Sequence, residues 1–334
     1  MTIRSKWLLL FVLGSGAFAQ EQPRFSANAQ LVMLDVQVTE KGTGRVLDLL
    51  SPKDFEVYDE GVRRDVREFH FETAPVDFVF LFYGRSGLGT LRDRQEFNRG
   101  LNAAAAELRP GDRGAVLRTN SESKIDLQMS DDLEKVRHAL VLGNPKYGRP
   151  GYDHLYDAVK AAATLFPRPK DPARRRAIVA ITDDVERGSR ITLDPLITEL
   201  LESDATLNEA ICVFGKQPSR EIGAGGIWGI PRVSRGIGGP RTTGASLRDA
   251  VQATGGEAIP GDLFREKFPE LMRRIRLRYL LGFYAEPAAQ REFHRLDVRL
   301  TPEAQKQHPN ALVRARRGYY SVPGASGNSW ARVP

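Results

Sequence analysis

The chain has a single cysteine, Cys212, in 334 residues. A disulfide scaffold, a thiolate zinc cluster and a CxxC redox pair each need at least two thiols, so all three are excluded. Only five histidines are present, and they are scattered, which argues against a histidine-built metal centre. A strong excess of one charge is also missing: 49 Lys+Arg stand against 42 Asp+Glu. The net +7 is small beside that number of charges, and the dense basic stripe of a dedicated nucleic-acid binder is not seen. No run after the first twenty residues approaches the roughly 18 apolar residues of a membrane span. What the chain does have is 41% hydrophobic residues, enough for a real core, and a length that suggests two domains at about 150 residues each.

Residues 1–19 read as an export signal: Arg4 and Lys6 precede the apolar run Trp7 to Leu13, and Ala17-Phe18-Ala19 supplies small residues at the cleavage subsites. Cleavage after Ala19 is expected, and no cysteine stands there to carry a lipid. The expected product is an exported protein, periplasmic or extracellular, without a transmembrane anchor. Cys212 lies in the apolar run Ala210 to Phe214, where a buried, inert thiol is the plainer reading and a reactive one the alternative.

The texture of the chain changes twice. Residues 20–74 form a β module, with strand patterns around Leu31–Val38, Phe55–Tyr58 and Val66–Phe71 separated by Gly-containing turns. Ser51-Pro52-Lys53-Asp54 has the composition of one capped helical turn with Pro52 at its first position. From 75 to 286, buried strands alternate with segments of helical period, the signature of a doubly wound, mainly parallel sheet. Asp77 to Phe82 and Ala177 to Ile181 are strands apolar enough for burial on both faces, and another is expected over Ala210–Phe214. Ala115–Leu117 and Ile125–Leu127 read as a strand pair, and Ser130 as the cap of the helix carrying Leu133, Val136 and Leu140. Residues 287–322 return to β texture, with strands expected over 293–300 and 312–320. They should pair with the amino-terminal module, making the α/β domain an insertion in a β-sandwich. The tail 323–334 is expected to be disordered.

Several segments, in this order and spacing, carry a family resemblance: Asp54–Gly61, the strand into Tyr83, Leu155-Tyr156-Asp157-Ala158-Val159, Ile181-Thr182-Asp183-Asp184, Tyr279–Tyr284 and Arg314–Tyr320. The sequence resembles von Willebrand factor type A (vWA) domains, most closely the exported acidobacterial family related to them. The resemblance implies a Rossmann-like fold whose top face binds a partner, often through a divalent cation. In the family that cation is held by an Asp-x-Ser-x-Ser loop, a threonine and a later aspartate, the clustered oxygens that hard cations require. On this chain Tyr83 stands where the loop aspartate belongs, Arg85 and Gly87 where the serines belong, and Asp153 at the threonine. Asp183 retains the final aspartate. The metal site is therefore read as degenerate, with Ser86, Asp153 and Asp183 as remnants. Arg85 is expected to lie within salt-bridge reach of Asp153 or Asp183, an internal cation in place of the metal, or else to point into water. Asp183 also has the simpler reading of a turn cap.

Three further signals have competing readings. Gly84-Arg85-Ser86-Gly87 follows a buried strand as a nucleophile elbow would, and Asp183 and His294 complete the order Ser, Asp, His, but the elbow's last glycine is Leu88. Residues 223–244 hold eight glycines around Trp228 without a P-loop's Gly-Lys-Ser/Thr, and form either a ligand-facing loop or an inert insertion. Arginines 273, 274, 276, 278, 291, 295, 299, 314, 316 and 317 suit an anionic polymer or lipid headgroup, or more plainly a solvated helix face and strand edge.

The resulting expectation is an exported, non-catalytic vWA-type module that binds another protein of the cell envelope or outside it, with no cofactor. The candidate contacts are Tyr83, Arg85, Ser86, Asp153, Asp183 and Trp228. The alternatives are a Mg²⁺-, Mn²⁺- or Ca²⁺-dependent adhesion domain on the remnant site and, third, a serine hydrolase.

Overall fold

The structure, a computed structural model of the chain, describes residues 30–83, 91–119, 123–142, 154–186, 188–211, 246–259, 264–286 and 288–322. The expected signal, the tail, Cys212 and the glycine-rich stretch with Trp228 lie outside the described residues. At the amino-terminal end the strands are Gln30–Glu40 (β1), Phe55–Asp59 (β2), Val62–Arg64 (β3) and Glu68–Phe71 (β4). Ser51 caps a single 3-10 turn, Pro52–Asp54, and Asp54 Oδ2 accepts in return from the Ser51 N–H at 2.7 Å and its hydroxyl at 2.6 Å.

The alternating region runs Val76–Tyr83 (β5), Leu91–Ala105 (α1), Arg113–Thr119 (β6), Ser123–Ser130 (β7), Leu133–Leu142 (α2), Leu155–Ala163 (α3) and Arg175–Thr182 (β8). It continues through Leu193–Ser203 (α4), Ala205–Ile211 (β9), Arg248–Ala253 (α5), Ala258–Ile259 (β10) and Phe264–Arg276 (α6). One six-stranded sheet results, in the order β10-β9-β8-β5-β6-β7, parallel except for β7. β5 and β8 are buried along their whole length, as strands covered on both faces must be. Phe78, Phe80 and Phe82 meet α1, α2 and α6 on one face, whereas Val79, Leu81 and Tyr83 meet α3, α4 and α5 on the other. The chain thus leaves β5 toward one face and β8 toward the other, so the strand order reverses between them. In open α/β sheets the crevice at such a reversal is where ligands bind.

The remaining strands are Tyr279–Ala285 (β11), Phe293–Leu300 (β12), Ala311–Arg314 (β13) and Gly318–Tyr320 (β14), with helix Pro302–Gln307 (α7) between β12 and β13. They complete two four-stranded antiparallel sheets, β13-β1-β11-β4 and β14-β12-β2-β3. Each sheet combines strands from both ends of the described chain, and their inner faces share one core of Val32, Leu34, Phe55, Val57, Tyr279 and Leu296 among others.

Four local expectations differ from what is found. β11, expected inside the boundary at 286, pairs with β1 and β4 rather than with the six-stranded sheet. The strand expected over 312–320 is two, β13 on β1 and β14 on β12, because the chain changes sheets at Ala315–Arg317. Gly255 lies against that crossing: it has φ +73°, and a Cβ there would stand 2.5 Å from the Ala315 carbonyl carbon. The strand expected over 210–214 runs from Ala205 to Ile211, disguised by Thr206, Asn208 and Glu209. Finally, Asp132 rather than Ser130 receives the first turn of α2, through Val136 N–H to its carbonyl and Lys135 N–H to its carboxylate.

The two units meet at Asp35 of β1, which forms ion pairs with Arg175 (3.0 Å) and Arg278 (2.6 Å). Arg278 is fully buried and Arg175 nearly so. Asp35→Ala leaves two buried guanidiniums without their carboxylate and is expected to cost about 3–5 kcal/mol. Calorimetry should then show one unfolding transition for the parent and two for the variant; one cooperative transition of unchanged midpoint in the variant would contradict this role. Within the sandwich, the Tyr279 hydroxyl donates to the Leu47 carbonyl (2.8 Å) and accepts from the Leu50 N–H (3.1 Å). Tyr279→Phe keeps the ring packing and strands both groups, so urea unfolding should show a loss of about 2 kcal/mol.

Candidate functional site

The site is built where β5 and β8 end. The two strands are parallel neighbours with Phe82 beside Ile181, which brings the roots of the loops after Tyr83 and Thr182 together. Of the expected contacts, Arg85, Ser86, Asp153 and Trp228 lie outside the described residues, and so does the expected pairing of Arg85 with Asp153 or Asp183. Tyr83 is 5% exposed and belongs to the core on the α3–α4 face, with its hydroxyl 3.5 Å from the Val185 carbonyl. A ring so placed supports the loop after β8 rather than meeting a partner. Asp183 is half-buried and is the first residue past β8.

The next residue, Asp184, has left-handed backbone (φ 53°), which aspartate tolerates better than most residues. Its N–H donates to Thr182 Oγ1 (2.9 Å), and its Oδ1 accepts from the Leu247 N–H (2.9 Å) at the start of α5. Beside it stands Glu209 on β9, 1% exposed and level with Ala180 of β8. Burial, then the Asp184 charge and a hydrogen bond to Asp184, push the Glu209 carboxyl up to about 9. Burial also raises Asp184, against the Leu247 N–H, the bond from Glu209 and the charge of Arg248. At neutral pH the two carboxyls therefore hold one proton, on Glu209, which donates it to Asp184.

The loop after Asp184 closes onto α3. Glu186 is buried; its Oε2 accepts from the Tyr156 N–H (3.0 Å) and the Ser189 hydroxyl (2.8 Å), and its Oε1 from the Ser189 N–H (2.6 Å). Asp157 accepts from the N–H groups of Arg190 and Ile191. The amino terminus of α3, a ready anion site, is thus occupied by the protein's own Glu186 and Ser189. The Tyr156 hydroxyl is buried without a hydrogen-bond partner among the described residues, and burial, then Glu186, Asp184 and Asp249, push it up to about 12.

Sequence reasoning placed Asp183 here and missed Asp184, Glu186 and Glu209 as a set. The signal for Glu209 was a lone glutamate adjoining the apolar run that starts at Ala210. Among the described residues no group of three or more His, Cys, Asp or Glu is arranged to hold a metal ion. His294 lies in the sandwich, where its Nδ1 contacts Asp59 at 3.2 Å and its ring stacks on Tyr319. A relay from Asp183 through His294 would therefore have to cross from one unit to the other. No described helix is long and apolar enough to cross a membrane.

The raised Glu209 gives a testable pH dependence. A carboxyl whose folded value lies above its ordinary 4.5 favours the fold fully below that value and loses the benefit as pH rises toward 9. Glu209→Gln retains a donor for Asp184 and carries no charge. It should be more stable than the parent by on the order of 2 kcal/mol at pH 8, with the difference vanishing near pH 4. Denaturation midpoints that stay parallel from pH 4 to 9 would contradict the protonated pair.

No protein-family model matches the chain, and neither does any curated protein. Solved structures to which the chain shows some similarity include an aerotolerance-related membrane protein of Bacteroides fragilis, at 15% identity and TM-score 0.42, covering 60% of this chain and 98% of that one. Another is the conserved hypothetical protein BatB of Bacteroides thetaiotaomicron, at 15% identity and TM-score 0.40, covering 60% and 97%. A third is proximal thread matrix protein 1 of the mussel byssus, with a zinc-occupied MIDAS motif, at 10% identity and TM-score 0.44; the match covers 65% of this chain and half of that one.

Proposed function

We propose that the chain is an exported, non-catalytic module of the vWA type that binds another protein at the carboxyl end of its six-stranded sheet, with a degenerate metal site. The observation that carries this reading is the internal satisfaction of that end. Asp184 is served by the Leu247 N–H and by Glu209, and the α3 amides by Glu186 and Ser189. Side chains so committed form a fixed platform rather than a set of free acids, bases and nucleophiles. Tyr83, Arg85 and Gly87 standing where the family's loop has Asp, Ser and Ser supports metal independence. Asp183 at the half-buried rim, together with Arg85, Ser86, Asp153 and Trp228, is the proposed contact region, and Tyr83 supports it from beneath.

The test is capture of a partner from an envelope extract by the immobilised full chain. One protein should be retained equally with and without EDTA, and Asp183→Ala should reduce its retention about tenfold, roughly 1.4 kcal/mol, while circular dichroism stays unchanged. Loss of capture in EDTA, restored by Mg²⁺, would favour a metal-dependent adhesion domain instead. Retention indifferent to Asp183→Ala would move the contact away from this end of the sheet.

A further inference from the structure

At the opposite end of the sheet, where β8 and β9 begin, a cavity of about 590 Å³ opens between the start of β1, the segment 168–176, the end of α4 and residues 319–322. That volume lies within the range of small-molecule sites. Its charges do not balance. Lys170 and Arg316 both pair with one carboxylate, Asp204. Arg176 is buried and spends its guanidinium on two carbonyls, those of Ser203 (2.9 Å) and Pro167. Arg168 has no ion-pair partner among the described residues. Of the other wall carboxylates, Glu202 is taken by Arg291 and Glu199 by Lys160 at 2.8 Å. One side of the cavity is therefore short of negative charge. The other side is apolar, with Leu31, 36% exposed, beside Met33 and Leu201.

We propose that this cavity binds a small amphiphilic anion, with an oxyanion head on Arg168 and Lys170 and an apolar body against Leu31, Met33 and Leu201. The state of Lys170 agrees with this: burial, then Arg316 and Arg176, lower its ammonium to about 7, against the pull of Asp35 and Asp171. An added anion relieves that crowding of cations. An oxyanion placed there gains charge-assisted bonds, while an apolar body covers the exposed Leu31 side chain. The cavity is walled by the amino-terminal ends of strands, so it stands apart from the partner-binding region and does not rest on that reading.

Isothermal titration of the full chain with decanoate, with phenyl phosphate and with inorganic phosphate tests the site. One of the two amphiphiles should bind in 1:1 ratio with Kd below about 100 µM, and inorganic phosphate at least about tenfold more weakly. Decanoate preferred identifies a fatty-acid-like carboxylate as the ligand class, and phenyl phosphate preferred identifies a phosphate ester. Arg168→Gln and Lys170→Gln should each weaken the preferred probe about tenfold, with the folded circular dichroism spectrum retained. Leu31→Asp should weaken the amphiphile and leave inorganic phosphate unchanged. The proposal is overturned by no saturable binding of either amphiphile below about 1 mM, by inorganic phosphate binding as tightly as the amphiphiles, or by affinities indifferent to both head-group variants.

Discussion

Asp35 is the point at which three passages of the chain are tied. It is a carboxylate on a sandwich strand, yet its partners are the first residue of β8 and the residue just before β11. Arg175 also donates to the carbonyls of Ile275 and Arg276, and Arg278 to the Gly255 carbonyl (2.6 Å). The end of α5, the end of α6 and the start of β8 are thereby fixed relative to β1. The contact between Arg278 Nε and Asp35 is an ion pair at 2.6 Å without hydrogen-bond geometry, and Nη1 of the same guanidinium has no hydrogen-bond partner among the described residues. Such a node gives little net stability against well-packed apolar residues. Its contribution is to penalise any other arrangement of the two units, since each would leave buried charge uncompensated.

The same chemistry extends along the whole amino-terminal edge of the sheet. Asp77 accepts from Arg113 and Arg174, and Asp112 from Arg276 and from the N–H groups of Val76 and Arg109. Burial alone would raise Asp77, but the two guanidiniums hold it below the usual carboxylate range. At the carboxyl-terminal edge Asp184 and Glu209 have no such ion pair among the described residues, and a proton takes the place of the guanidinium. The sheet is thus polarised: arginine closes one end against the sandwich, and the other presents carboxylates compensated by backbone N–H groups and a shared proton. This polarity, more than any single residue, distinguishes the chemistry that the two ends offer.

How much of this could be read in the sequence depended on whether a segment is specified locally. The buried runs of β5 and β8, the β6–β7 pair and the Ser51–Asp54 turn are local, and they lie where their patterns put them. β9 begins earlier than its apolar run suggests because polar residues interrupt it: Asn208 is buried and accepts from the Glu257 N–H (3.1 Å), a contact 49 residues away. The sheet to which β11 belongs follows from pairing with β1, nearly 250 residues earlier. The carboxy-terminal arginines read as a solvated face, and Arg273, Arg291 and Arg299 are exposed. Arg276 and Arg278 are buried against Asp112 and Asp35, carboxylates that lie far earlier in the chain. At the site, Asp183 was legible from its place after a buried strand, whereas the pairing of Asp184 with Glu209 requires the adjacency of β8 and β9.

The proton shared by Asp184 and Glu209 determines how this end of the sheet behaves. Two buried carboxyls in contact cannot both ionise cheaply, so something positive must stand between them. A bound cation would make the geometry depend on ion concentration, whereas a proton on Glu209, raised to about 9, stays in place throughout the neutral range. Its bond to Asp184 acts alongside the bond from the Leu247 N–H, so the start of α5 and the end of β8 are held by one carboxylate. The loop that begins at Asp183 therefore springs from a base whose charge is constant near neutral pH, which suits the recognition surface proposed for that edge.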